Sequence, residues 1–263
     1  MRYELIEIQK RKKGVTWIII DNPPVNAIGE QLMKELEAAV DDLAEDHSVR
    51  VIVVTSNHPK IFLAGADLKG MIYDTGEMEN NEDPIAVQSG KMQACFHKFY
   101  KVSKPVIAAI NGHALGGGCE LALACDFRMM SKGTIGLTET SLGIIPGAGG
   151  TQRMTHLIGR AKAMELIFTA KRLTPKEAHQ IGLITQVAED LEKDTTEFAE
   201  QLAEGAIHAM GLAKQAINGA EMPIEEGLKI EAKAFSHTFK TEEPGIGLMA
   251  FFQKEKAQFY SEG

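Results

Sequence analysis

The sequence predicts an α/β fold. Two β-branched runs, residues 15–20 and 51–55, flank a helical apolar pattern at 31–45. A short buried strand at 105–110 leads through Gly116, Gly117 and Gly118 into a helix, and helical patterns dominate after about residue 160. Asp21-Asn22-Pro23-Pro24 ends the first strand run, and Ser56-Asn57-His58-Pro59 supplies turn chemistry after the second. Residues 71–84 turn acidic, with Asp74, Glu77, Glu79, Glu82 and Asp83 and little apolar period, as in a solvated surface insertion or a lid over a pocket. Asn111-Gly112 turns the chain after the strand at 105–110, a helix covers 119–124, and Cys125-Asp126 closes it before a strand at 127–131. Segments 191–207, 224–239 and 248–259 form a helical tail with little core of its own, expected to pack on the main body or on another subunit.

The 263 residues, 44% hydrophobic and 24% charged, can bury a large core without a second independent domain. A formal charge of -8 disfavours nucleic acid and anionic membrane surfaces as partners. No apolar run approaches membrane-spanning length, and the N-terminus lacks the basic-then-apolar pattern of a signal peptide. Cys95, Cys119 and Cys125 form no CxxC pair and no cluster with histidine, which argues against a disulfide framework or structural zinc and for a reducing, cytoplasmic setting.

Three glycines between a strand and a helix let a ligand approach the backbone, while the helix N-terminus offers unpaired N–H groups to negative charge. A tight packing corner would use the same residues. A nucleotide cradle is excluded by the absence of GxxxxGK[ST], and in Gly147-Ala148-Gly149-Gly150-Thr151-Gln152 a glutamine stands where a dinucleotide fingerprint needs its third glycine. A second corner of small residues, Leu63-Ala64-Gly65-Ala66-Asp67-Leu68, follows the strand at 51–55, with Asp67 suited to start a helix. Two such corners can each aim one N–H at a single oxygen and stabilise it as an enolate or tetrahedral oxyanion. Glu120, in the first turn of the predicted helix, and Glu139 lie 19 residues apart, enough for a helix to end and a strand to return. If the fold brings them together, burial and mutual repulsion push one toward the protonated form, giving an acid and a base. Taken singly, each is better explained as a helix-cap or surface residue. Cys119 has no positioned histidine partner and His113 sits in a turn, so both are read as packing residues.

These residues match a family pattern. Ala64-Gly65-Ala66-Asp67, Lys104-Pro105-Val106-Ile107-Ala108-Ala109-Ile110-Asn111-Gly112, Gly116-Gly117-Gly118-Cys119-Glu120 and Gly143-Ile144-Ile145-Pro146-Gly147-Ala148-Gly149-Gly150-Thr151-Gln152-Arg153 closely resemble the enoyl-CoA hydratase/isomerase (crotonase) family, and the likeness runs essentially end to end. The resemblance implies a crotonase-type spiral of ββα units over residues 1–200 and a C-terminal helical oligomerisation region, 201–263, used to build homotrimers and often hexamers. It implies that the backbone N–H groups of Ala66 and Gly117 grip a thioester carbonyl. Ala64, Asp67, Leu68 and Lys69 would line the coenzyme A site, coenzyme A being part of the substrate and no separate cofactor being needed.

Hydratases resembling this chain carry both acids, at the positions of Glu120 and Glu139, whereas many Δ3,Δ2-enoyl-CoA isomerases keep only the second. The resemblance therefore implies hydration of 2-trans-enoyl-CoA. Isomerisation and non-catalytic acyl-CoA binding are the alternatives. Three positions depart from the commonest pattern. Thr138 replaces a frequent proline and Ile135 a frequent aromatic, both expected at the pocket wall; Glu255 replaces an arginine, leaving Lys254 or Lys256 to meet a coenzyme phosphate.

Overall fold

The computed structural model describes residues 3–66 and 83–261. Its main sheet has six strands in the order β1 (Ile6–Lys10), β2 (Val15–Ile20), β4 (Val51–Ser56), β7 (Val106–Ile110), β9 (Phe127–Met130) and β11 (Gln186–Val187). Only β1 runs antiparallel to its neighbour; the β2–β4, β4–β7, β7–β9 and β9–β11 pairs are parallel. Parallel neighbours require crossovers, and here each crossover carries a second short strand and a helix. Thus β2 is followed by β3 (Ala27–Ile28) and α1 (Glu30–Glu45). Next, β4 is followed by β5 (Ile61–Leu63), β6 (Gly65–Ala66) and α2 (Pro84–Lys101). Then β7 leads to β8 (His113–Leu115) and α3 (Gly117–Ala124), and β9 to β10 (Ile135–Gly136) and α4 (Gly150–Ile158). The short strands pair among themselves, β10–β8–β5 in one small parallel sheet and β3–β6 in another, so the chain advances as a spiral of ββα units.

Alternation along the strands builds two cores. In β4, Ile52 and Val54 face a cluster with Leu32, Leu36, Phe96 and Phe99 of α1 and α2, while Val51 and Val53 face the opposite cluster. That second cluster is closed by Ala199 and Ala203 of α7 (Leu191–Ala203) and Ile207 of α8 (Ile207–Asn218). A strand buried on both faces reads as a continuous apolar run, which is why residues 51–54 show no polar alternation. Two short helices, α5 (Arg160–Phe168) and α6 (Pro175–Gln180), precede β11, and the tail continues as α9 (Ile224–Thr238) and α10 (Glu243–Gln253).

Three sequence expectations need correction. The predicted helix at 191–207 is two helices: the first ends at Ala203 with Glu204 as its C-cap, and the second starts at Ile207 after Ala206. The helix expected at 248–259 lies earlier and stops at Lys254, which takes a left-handed conformation (φ 58°). Phe259 instead folds back toward Gly247. Most of the acidic segment 71–84 lies outside the described residues, but Asp83 is the N-cap of α2, accepting from the N–H groups of Ile85 and Ala86, with Pro84 at the first helical position. No helix among the described residues is long and apolar enough to cross a membrane.

Candidate active site

The β8-to-α3 corner depends on two glycines for different reasons. Gly116 adopts φ 54° and ψ -123°, a backbone state costly for L side chains, and a Cβ there would stand 3.1 Å from Glu139 Oε1. Gly118 is needed for close approach, since a Cβ would overlap the Leu63 carbonyl oxygen of β5. That approach joins the two small-residue corners: a Cβ on Gly65 would lie 3.5 Å from the Gly117 nitrogen. Every residue of α3 is buried, and the N–H of Gly117, in its first turn, has no acceptor within the helix.

Glu120, also in that first turn, is only 2% exposed. Its Oε1 accepts from the Ala148 N–H at 2.7 Å and the Gly150 N–H at 2.8 Å. Gly150 begins α4, so Glu120 sits at a helix N-terminus, which favours the ionised form. Burial pushes its carboxyl up, and the two N–H donors and then Arg153 offset only part of that, so the net shift is upward.

Glu139 starts a 3-10 turn, Glu139–Leu142, directly after Thr138. Burial, and then the charge of Glu120, push its carboxyl up to about 7. Its Oε2 is buried with no partner among the described residues. Two carboxylates of unlike support thus face one cavity of about 930 Å³, within the range of small-molecule sites. Two backbone donors favour the ionised form of Glu120 against the push of burial, whereas Glu139, its Oε2 unpartnered among the described residues, carries a proton near neutrality.

A raised carboxyl pKa also has a stability consequence. Between about pH 4.5 and 7 the folded chain holds the Glu139 proton more tightly than the unfolded chain, so stability declines as pH rises through that window. Glu139→Gln removes the penalty. It is expected to be more stable than the parent at pH 8 by on the order of 2 kcal/mol after allowance for partial exposure, about 5 °C in Tm, and to match it near pH 4. Thermal unfolding at the two pH values checks this; an equal difference at both would refute the ionisation account.

Of the residues singled out in the sequence, Ala64, Gly117, Glu120 and Glu139 line this cavity. Ala66 ends β6, paired with Ile28 of β3. Asp67, Leu68 and Lys69 lie outside the described residues. Thr138 is at the cavity wall as expected, but Ile135 is not. It is fully buried in the main core, where β10 pairs with β8, and the wall is formed one turn of chain later. Lys256 lies 3.6 Å from Glu204 of the same chain, and Lys254 caps α10. Cys119 is buried, its thiol pushed well up by burial first and by Glu139 and Glu120 next, and His113 pairs with Thr134.

Sequence reading missed the far wall of the cavity. It is built by His97 and Tyr100 of α2, Arg153 of α4 and Glu221 of the C-terminal region. The Asp83-Pro84 pair, a cap followed by a first-turn proline, was the signal that would have placed α2 there.

The family model for enoyl-CoA hydratase/isomerase matches residues 10–262. A probable mitochondrial enoyl-CoA hydratase of Dictyostelium discoideum is 39% identical over 256 residues, spanning 95% of this chain and 89% of that protein. The crotonyl-CoA hydratase of Syntrophomonas wolfei is 37% identical over 266 residues, 99% of this chain and 100% of that one. The crystal structure of an enoyl-CoA hydratase from Bacillus anthracis superposes with a TM-score of 0.87 at 37% identity, covering 98% of this chain and 99% of the other. With the ββα spiral, the joined glycine corners and the paired glutamates all present, this chain belongs to the enoyl-CoA hydratase/isomerase (crotonase) family.

Proposed function

We propose that the protein adds water across the double bond of 2-trans-enoyl-CoA to give 3-hydroxyacyl-CoA, in fatty-acid β-oxidation or related acyl-CoA catabolism. The observation that carries this reading is the pair of carboxylates, Glu120 and Glu139, on one cavity, both pushed up by burial but only Glu120 held by the Ala148 and Gly150 N–H donors. The N–H groups of Ala66 and Gly117 hold the thioester oxygen. Glu120, ionised, takes a proton from water as its oxygen bonds to C3. The double-bond electrons move toward the thioester to form the enolate, and Glu139 delivers its proton to C2. Ala64, Asp67, Leu68 and Lys69 bind the coenzyme A portion, a role supported by the exposed position of Ala64 at the cavity edge. No cofactor beyond the substrate's own coenzyme A is required.

The test is the loss of conjugated thioester absorbance with crotonyl-CoA and a panel of longer 2-enoyl-CoAs. Hydration to the 3-hydroxy product is expected. Isomerisation of 3-enoyl-CoA without hydration would replace this reading with that of an isomerase, and acyl-CoA binding with neither reaction would make the protein a binder. The pH profile adds a check. Since Glu139 must hold its proton to act as the acid, kcat/KM is expected to fall above about pH 7, and a profile flat to pH 9 would remove Glu139 from that role.

The reading extends to a homotrimer, or a dimer of trimers, assembled through the C-terminal helices. Phe235 of α9, Phe239 at its C-cap, and Phe251 and Phe252 of α10 support it, being 62–77% exposed. Light scattering is expected to return three or six times the chain mass. Three free, buried cysteines support a reducing compartment, in keeping with a cytoplasmic location.

A further inference from the structure

Arg153 has a place in the site that the acid pair does not explain. Its Nη1 donates to the Ala148 carbonyl at 2.9 Å, while the Ala148 N–H is one of the two donors on Glu120. Ala148 is therefore gripped at both polar backbone atoms, by the base on one side and by the cation on the other. The guanidinium lies directly on the Gly149 backbone, where a Cβ would overlap it. Behind it is the Tyr100 ring, its centroid 5.8 Å away, and that ring is stacked on His97 and tied by its hydroxyl, which donates to Glu221 at 2.8 Å. A cation held between a carbonyl and a ring keeps a fixed position.

The groups around Glu120 make that position matter. Glu139 faces it from the 3-10 turn, and His97 and Tyr100 line the same cavity from α2. The neighbouring Cys119 is a neutral buried thiol. Among the described residues lining the cavity, Arg153 is the only lysine or arginine.

We propose that Arg153 is a positioning residue for the hydration chemistry, holding the 148–150 backbone against Glu120 and keeping Glu120 in the charged form that a general base needs. This rests on the hydratase reading above. The direction of the electrostatics agrees, since Arg153 opposes the upward push of burial on Glu120 and Glu120 is the leading charged partner of Arg153.

The experiment compares the parent with Arg153→Gln and Arg153→Lys in two readouts: kcat/KM for crotonyl-CoA across pH, and the Glu120 carboxyl titration followed by carbon-13 NMR, with Glu120→Gln identifying the signal. Arg153→Gln is expected to lose about tenfold more activity at pH 5.5 than at pH 7.5, with the titration moved to higher pH. Arg153→Lys is expected to recover most of the low-pH loss. An equal loss at both pH values with an unmoved titration overturns the proposal, even if the parent hydrates crotonyl-CoA and depends on Glu120. If the parent hydrates nothing, the functional reading fails separately, and the carboxyl titration alone decides whether Arg153 holds Glu120 charged. Should Arg153→Gln not fold, Tyr100→Leu removes the ring behind the guanidinium and is expected to move the titration in the same direction; an unmoved titration there counts against the proposal.

Discussion

Replacing Glu120 by glutamine is expected to lower kcat/KM for crotonyl-CoA hydration about 10³-fold, and replacing Glu139 by glutamine to do the same to a similar degree. Glutamine has the shape of glutamate and retains a carbonyl oxygen able to accept from the Ala148 and Gly150 N–H groups, so the loop over α4 stays in place while the base is lost. At Glu139 the amide fills the same space but has no acidic proton to give C2. In the proposed mechanism the two groups act on one water and one enolate, so the double variant is expected to be little slower than the worse single one. Steady-state kinetics on the three variants, with circular dichroism to show that they fold, check this. Parent-like rates in both single variants would sink the proposed mechanism, and loss in Glu139→Gln alone would favour single-acid isomerase chemistry.

Gly118→Ala is expected to destabilise the chain by more than about 3 kcal/mol. The atom a methyl would overlap is a backbone oxygen, that of Leu63, which a change of rotamer does not move. Separating α3 from β5 would shift every residue of a short, fully buried helix, including Gly117 and Glu120, so any folded fraction is expected to lose activity as well. Gly245→Ala is the control. No atom lies within 4 Å of its Cβ position and it sits inside α10, so it is expected to stay within about 1 kcal/mol of the parent. Denaturant unfolding of both variants gives the comparison. Equal midpoints would show that the approach of α3 to β5 is not as tight as the backbone geometry requires.

Much of the fold was legible in the chain itself. The strand at 15–20 was found at its observed bounds and the helix at 31–45 to within one residue, because a buried β-branched run and a 3.6-residue apolar period each have one good solution. Where local signals compete, the reading slipped. The acidic stretch before Pro84 reads as a loop and the sequence assigns no helix to 84–101, where α2 lies, and helices end at Ala203 and Gln253 although the apolar pattern runs on. The tail beyond α8 exposes much of its apolar surface within one chain, so its pattern carried less information about where each helix stops.

The candidate site divides in the same way. By itself the sequence determined the strand–glycine–helix corner, the second small-residue corner and the two glutamates, since those depend on residue type and near neighbours. Only the tertiary structure decided that Gly65 and Gly117 meet, that Glu120 is held by donors 28 and 30 residues away, and that Glu139 is driven toward neutrality. It also sent Ile135 into the core and brought Arg153, Tyr100 and Glu221 to one wall. Burial and charge act through space, so a carboxyl's protonation state is set by whatever the fold packs against it, and no spacing along the chain records that.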